Sequence, residues 1–214
     1  MQFLGIGLPC RPASDQQAEI TVVLLDTRGT VLAVERRPDL DALAALVRVL
    51  ASGDTLIAAG TPLCERSREA RGHAAVQALR RRLALTDVES GVLECDAESF
   101  PFPVDELDYA SWPPEVCGHA TRARSRTPRL AAACDDLVRR LDLLISAHPP
   151  MDLHSSTLTA ALLTEPAPTS GAGLEQRVGL LNALLCAWAA SSWHGSPEQS
   201  LEQPMPPAGL SLAG

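Results

Sequence analysis

Short apolar runs bounded by polar and proline positions open the chain, and runs of helical periodicity close it. Phe3 to Leu8 is brief and apolar, and Ile20 to Leu25 is rich in β-branched and aliphatic residues; both read as strands. Asp26-Thr27-Arg28-Gly29 supplies turn chemistry, with Gly29 able to take positive φ, before Val31 to Glu35 resumes a strand. A three-strand meander results. From Asp39, behind Pro38, the residues Leu40, Leu43, Val47 and Leu50 recur at helical spacing, and Gly53 is expected to end that helix. Asp54 to Gly60 predicts a fourth strand. With one helix between it and the meander, the right-handed crossover rule sets this strand parallel to the first and beside it, which brings Gly7 and Gly60 to one edge.

Glu65 to Leu85 reads as an arginine-rich helix, and Gly91 to Glu94 as a short fifth strand, so the order is βββαβαβ. Residues 96–126 carry Pro101, Pro103, Pro113 and Pro114 and little periodicity, which predicts a long irregular insertion or lid. Leu130 to Ala147 returns to helical spacing through Leu137, Leu141 and Leu144. A short helix to Leu163 follows, with Ser155 or Ser156 as its cap, and a last helix spans about Leu174 to Trp193. These patterns divide the chain into one domain over residues 1–194 and a proline-rich, mobile tail over 195–214.

Composition narrows the picture. At 214 residues and 46% hydrophobic the chain suits one well-packed domain and leaves little for a second. The net charge of -8 argues against a broad nucleic-acid-coating face unless arginines cluster locally, and every basic side chain here is an arginine. The six cysteines show no C-x-x-C spacing, so reduced, mostly buried thiols fit better than a disulfide scaffold. No secretory leader is legible at the N-terminus. The apolar patch from Leu180 to Ala190, interrupted by Asn182, falls short of the roughly 20 residues a membrane span needs. A cytoplasmic location without membrane contact is therefore expected.

Three short segments carry a resemblance. Phe3-Leu4-Gly5-Ile6-Gly7, Ile57-Ala58-Ala59-Gly60-Thr61-Pro62-Leu63 and Asn182-Ala183-Leu184-Leu185-Cys186-Ala187 fall in order on the first strand, the fourth strand and the last helix. In that arrangement the chain resembles an uncharacterised family of predicted nucleases with a ribonuclease H-like fold. Its members typically open with a strand like V-L-G-I-D, carry a fourth strand like I-A-I-D-A-P-L, and close on a helix with D-A-L-x-C-A. The resemblance spans about residues 1–193 and implies an α/β fold in which helices flank a five-stranded mixed sheet.

It also implies a chemistry that this sequence departs from. In the family, acids at these places would hold two divalent ions, and two-metal phosphodiester hydrolysis needs hard anionic oxygens to bind Mg²⁺ or Mn²⁺. Gly7 and Gly60 offer no side-chain oxygen, and Asn182 offers only a neutral carbonyl. The expectation is a diverged homologue without catalysis, a pseudoenzyme acting as a binding or structural module and needing no cofactor. The alternative keeps nuclease activity at a relocated site, with Glu94 and Asp96 as catalytic metal ligands at the parallel strand ends and Mg²⁺ or Mn²⁺ as cofactor. A solvated strand end leading into a loop is the simpler account of these two acids. Asp26 ends an antiparallel strand at the opposite edge, where it serves the hairpin turn.

Further candidates are weaker. Arg122, Arg124, Arg126 and Arg129, like Arg66, Arg68, Arg71 and Arg80 to Arg82, would contact phosphates if nucleic acid is the partner. Solvated helix faces explain them too, a protein partner is equally open, and three Phe, three Trp and one Tyr supply few stacking platforms. Cys117-Gly118-His119 is half a zinc site without a second ligand pair. Asp152, His154 and Ser155 stand together at a helix start, where capping is simpler than a catalytic triad. Gly5-Ile6-Gly7-Leu8-Pro9 lacks both the third glycine and the following helix of a phosphate cradle. An actin-like nucleotide binder would need a second, duplicated domain. On the last helix, Leu174, Val178, Leu181, Leu185 and Trp188 predict the buried stripe, with Asn182 at its border.

Overall fold

β1 (Gln2–Gly7) is apolar on both of its faces, as are β2 (Ile20–Asp26) and β4 (Thr55–Gly60), and both faces of these strands are buried. Such strands belong in the middle of a sheet covered on two sides. The computed structural model describes residues 1–8, 19–51, 54–61, 69–84, 92–95, 127–169 and 171–195. Its five-stranded sheet has the order β3-β2-β1-β4-β5, with β3 covering Val31–Arg37 and β5 covering Val92–Cys95. β1, β4 and β5 run parallel, and β2 is antiparallel to both β1 and β3. The chain is thus α/β with a mixed sheet, and β4 lies parallel to β1 and beside it, as expected. Glu35, Arg36 and Arg37 lie on the edge strand β3, where charge discourages pairing with another sheet.

Strand alternation sorts the core into two layers. Leu4, Ile6 and Leu8 of the first strand segment, with Val22, Ile57 and Val92, pack against Leu43 and Val47 of α1 (Leu40–Leu50) and Val76, Leu79 and Leu83 of α2 (Glu69–Ala84). Phe3, Val23, Leu25, Ala58 and Cys95 face α5 (Gly171–Gly195) on the other side. Behind α5 stand Cys134, Leu137 and Leu141 of α3 (Thr127–Asp142) and Leu162 of α4 (Thr157–Thr164). α5 is therefore enclosed by the sheet in front and helices behind. Every residue from Leu180 to Ser191 is buried, so the expected one-sided stripe with Asn182 at its border is replaced by a helix buried all round. A run such as Leu-Leu-Asn-Ala-Leu-Leu-Cys-Ala-Trp-Ala-Ala has no polar face to offer solvent.

Local chemistry sets the boundaries. Asp39 caps α1, accepting from the Ala42 N–H at 2.8 Å, and the helix closes at Leu50 when the Ala51 N–H reaches the Val47 carbonyl. Gly53 lies outside the described residues. Gly29 takes φ 77° in the β2–β3 turn, as its sequence context predicts, and the Asp26 carboxylate accepts from the N–H groups of Arg28 and Thr30, both at 2.9 Å. The helix expected to run to Ala147 ends at Asp142, and Leu143–Ser146 continues as a 3₁₀ turn. Neither Ser155 nor Ser156 caps α4 with its side chain. The Ser155 hydroxyl instead accepts from the Val31 N–H at 2.8 Å and donates to the Asp152 carbonyl, which joins the 3₁₀ turn Leu153–Ser155 to β3. The insertion expected at 96–126, the tail beyond Gly195, residues 65–68 of the predicted second helix, and Cys117-Gly118-His119 lie outside the described residues.

One charged group ties the rear helices to α5. Arg177, buried to 8% exposure, donates through Nη2 to Asp135 Oδ1 at 3.2 Å and to the carbonyls of Leu162 at 3.0 Å and Glu165 at 2.8 Å. Asp135 Oδ1 also accepts from the Ala167 N–H at 2.8 Å. The orphan carbonyls at the C-terminus of α4 thereby gain a cationic donor.

Candidate functional site

Gly7, Gly60 and Asn182 converge. Parallel pairing places Gly7 opposite Gly60, and the Leu8 N–H donates to the Gly60 carbonyl at 3.0 Å. α5 crosses β1 with Gly179, Ala183 and Ala187, spaced four apart, lying on Gly7 and Gly5. A Cβ built on Gly7 would overlap the Gly179 carbonyl oxygen and stand 2.8 Å from the Ala183 nitrogen and 3.1 Å from Asn182 Cβ. One built on Gly5 would overlap the Ala183 carbonyl and the Ala187 nitrogen. At Gly60 the obstacle is the carbonyl oxygen of Cys95 on β5. Small residues on both sides let helix and sheet backbones approach to a separation that no larger side chain permits.

This arrangement leaves no space for a carboxylate on β1 or at the end of β4. Asn182, 1% exposed, is enclosed in the core, so its amide does not overlook an open cleft. Among the described residues around Gly7, Gly60 and Asn182, the polar groups on the α5 side are neutral backbone, one amide and the buried hydroxyl of Thr21, which pairs with Gly7. Hard dications take several anionic oxygens, and among the described residues no group of three or more His, Cys, Asp or Glu side chains is placed to hold a metal ion.

Glu94 stands near this edge but on the other face of the sheet. Alternation along β5 sends Cys95 toward α5 and Glu94 toward α2, where His73 Nδ1 lies 2.9 and 3.1 Å from its two carboxylate oxygens. Arg80 adds an ion pair at 3.7 Å and binds the Val92 carbonyl through Nε and Nη2 at 3.1 and 2.7 Å. The carboxylate accepts the Nδ1 proton and leaves Nε2 outward, 3.5 Å from the Gln77 amide. His73 is well exposed and Glu94 about one-third so. Asp96, Arg122, Arg124 and Arg126 lie outside the described residues, and Arg129 belongs to the first turn of α3.

Asp26 sits at the far end of the sheet, paired in register with Gln2, and serves the hairpin. Asp152 accepts from the His154 N–H at 2.8 Å and caps the 3₁₀ turn, while His154 Nε2 meets Asp142 at 3.2 Å. Ser155 is committed to β3, so these three residues do not assemble a triad. Sequence reading missed His73 and Arg177, whose partners are remote in the chain. It also passed over Gly179, Ala183 and Ala187, although their spacing was a legible sign of close helix packing.

Cys95, Cys134 and Cys186 are free and buried. Burial pushes the Cys134 thiol up to about 12, with Arg177 opposing and Asp135 reinforcing the shift. Burial likewise raises the Cys186 thiol, and a hydrogen bond with Cys95 adds to the effect. No described helix is long and apolar enough to cross a membrane. No family model, curated protein or solved structure matches this chain.

Proposed function

We propose that this chain is a diverged ribonuclease H-like protein of the predicted-nuclease type that has lost two-metal catalysis and works in the cytoplasm as a binding or structural module. One observation supports the reading above others: Gly7, Gly60 and Asn182 meet at a single sheet edge, and helix or strand backbone occupies the space that acidic side chains at positions 7 and 60 would need. The strand order, with β1 between β2 and β4 and three strands parallel, is the order that fold requires. Catalysis by paired dications depends on anionic oxygens that these three residues do not supply. Buried, reduced thiols suit a cytoplasmic protein.

The test is incubation of the full chain with RNA, DNA and branched DNA across a titration of Mg²⁺ and Mn²⁺. The expected result is no cleavage, with any nucleic-acid binding falling steeply with salt if Arg122, Arg124, Arg126 and Arg129 contact phosphates. Metal-dependent cleavage that disappears in Glu94→Ala would overturn the proposal and favour the relocated site with Glu94 and Asp96.

A further inference from the structure

His73 on α2 has both ring nitrogens engaged, and the two contacts select one tautomer. Nδ1 lies 2.9 and 3.1 Å from the oxygens of Glu94, and Nε2 meets the Gln77 amide nitrogen at 3.5 Å. A carboxylate only accepts and an amide N–H only donates, so the proton sits on Nδ1 and a lone pair on Nε2. In His154 a carboxylate occupies Nε2 instead, that of Asp142 at 3.2 Å, and the ring of His194 packs against Phe3. The His73 side chain is 59% exposed and that of Glu94 29%, so the lone pair meets solvent while its supporting carboxylate is partly enclosed.

We infer that His73 Nε2 is a phosphoryl-acceptor site, taking its phosphoryl group from small donors of the acyl phosphate or phosphoramidate class. The site lies on the α2 side of β5 and uses none of Gly7, Gly60 or Asn182. The Nε2 lone pair attacks phosphorus in line with the leaving group. The N–P bond forms, and the P–O bond of an acyl phosphate breaks so that the carboxylate leaves with the electron pair; from phosphoramidate the P–N bond breaks and ammonia leaves. The ring gains positive charge as Nε2 bonds, and Glu94 offsets that charge by holding the Nδ1 proton.

Phosphoryl transfer asks a protein chiefly for positioning and charge compensation, and this cluster supplies both. Arg80 pairs with Glu94 at 3.7 Å and is itself anchored on the Val92 carbonyl at 3.1 and 2.7 Å, so an incoming phosphoryl dianion does not face an uncompensated carboxylate. The Gln77 amide, next to Nε2 before transfer, is placed to donate to a phosphoryl oxygen after it. Among the described residues no group of three or more His, Cys, Asp or Glu side chains could hold a metal ion, which leaves Nε2 as a nucleophile and not as one ligand of a set. Glu94 is the positioning residue, since it acts through the imidazole.

The full chain would be incubated separately with potassium phosphoramidate and with acetyl phosphate, digested at neutral to alkaline pH and mapped by mass spectrometry, with phosphorus NMR placing the new bond on the ring. The expected result is an acid-labile phosphoryl group on His73 Nε2 that forms several-fold faster than on His148, His154 or His194. Glu94→Gln keeps an acceptor for the Nδ1 proton but removes the charge, so it should slow His73 several-fold and leave His154 unchanged. His73→Asn should abolish the fast reaction. Phosphorylation of His73 no faster than that of the other three, phosphorus on Nδ1, or an unaltered His73 rate in a Glu94→Gln variant with the parent's circular dichroism would overturn the proposal.

Discussion

Gly7 of β1 lies directly against Gly179 of α5, so close that a methyl group on Gly7 would overlap the Gly179 carbonyl oxygen. The contact fixes how near the central helix comes to the sheet, and it makes the glycine a packing requirement. Introducing a carboxylate here is therefore expected to damage the fold. Gly7→Asp should lower stability by about 3 kcal/mol or more, since it combines overpacking with a buried, unpaired charge. Urea denaturation should show a lower midpoint at unchanged slope, and Mn²⁺ should not recover it. Full recovery by Mn²⁺ would mean that the helix yields and a metal pocket opens.

Gly60→Ala tests the same idea at the strand end. Here the obstacle is the Cys95 carbonyl, a backbone atom of the neighbouring strand, which cannot swing aside as a flexible side chain would. The substitution is expected to pry β5 from β4 and to cost about 1–3 kcal/mol. Amide hydrogen exchange would detect it as lost protection in Val92 to Cys95 ahead of the rest of the sheet.

The sheet was legible from sequence because its strands are short, apolar and separated by turn chemistry that names itself, as at Asp26 to Gly29. The parallel neighbour relation of β1 and β4 followed from one intervening helix, and it carried Gly7 to Gly60 correctly. The face on which Glu94 emerges was not legible. Strand direction gives the end at which a residue lies, but period-two alternation gives the face, and moving β5 by one residue exchanges Glu94 for Cys95. α5 was misread for a different reason: helical periodicity identifies a buried stripe only when a polar face exists for contrast, and this helix has none over Leu180 to Ala190. The partnerships of His73 with Glu94 and of Arg177 with Asp135 join elements far apart in the chain, and no local pattern announces them.

The His73–Glu94 pair should prove a tautomer lock of small energetic weight. Both groups meet solvent, so Glu94→Ala is expected to change stability by under about 1 kcal/mol. Nitrogen NMR of neutral His73 should show the proton on Nδ1 in the parent protein and a mixture of tautomers in the variant. A parent spectrum with the proton on Nε2 would contradict the hydrogen bond at 2.9 Å.

Arg177 is expected to matter far more. Arg177→Met removes the cation beside Asp135, which is part-exposed and keeps the Ala167 N–H, and leaves the carbonyls of Leu162 and Glu165 without this donor, at a cost of about 1–3 kcal/mol. Arg177→Lys should recover part of this loss, because Nη2 alone serves all three acceptors and an ammonium likewise carries three donors. The double variant Arg177→Met with Asp135→Leu should be more stable than the sum of the two single losses, which a double-mutant cycle in urea would read directly.

Cys134 links the same cluster to alkaline stability. Its thiol has an ordinary value of 9.0 and is pushed up to about 12 in the folded protein, chiefly by burial. Between these limits the unfolded chain releases the proton while the folded chain retains it, so unfolding is favoured as pH rises. The contribution is fully present below pH 9.0, declines by about 1.4 kcal/mol per pH unit, and is exhausted above about pH 12. Cys186, raised in the same direction, adds a decline of the same sign. Cys134→Ala removes one titrating group, so plots of stability against pH for the parent and the variant should run parallel below pH 9.0 and diverge above it, the variant losing stability less steeply. Equal slopes from pH 9.0 to 11 would show that the thiol already ionises in the folded core.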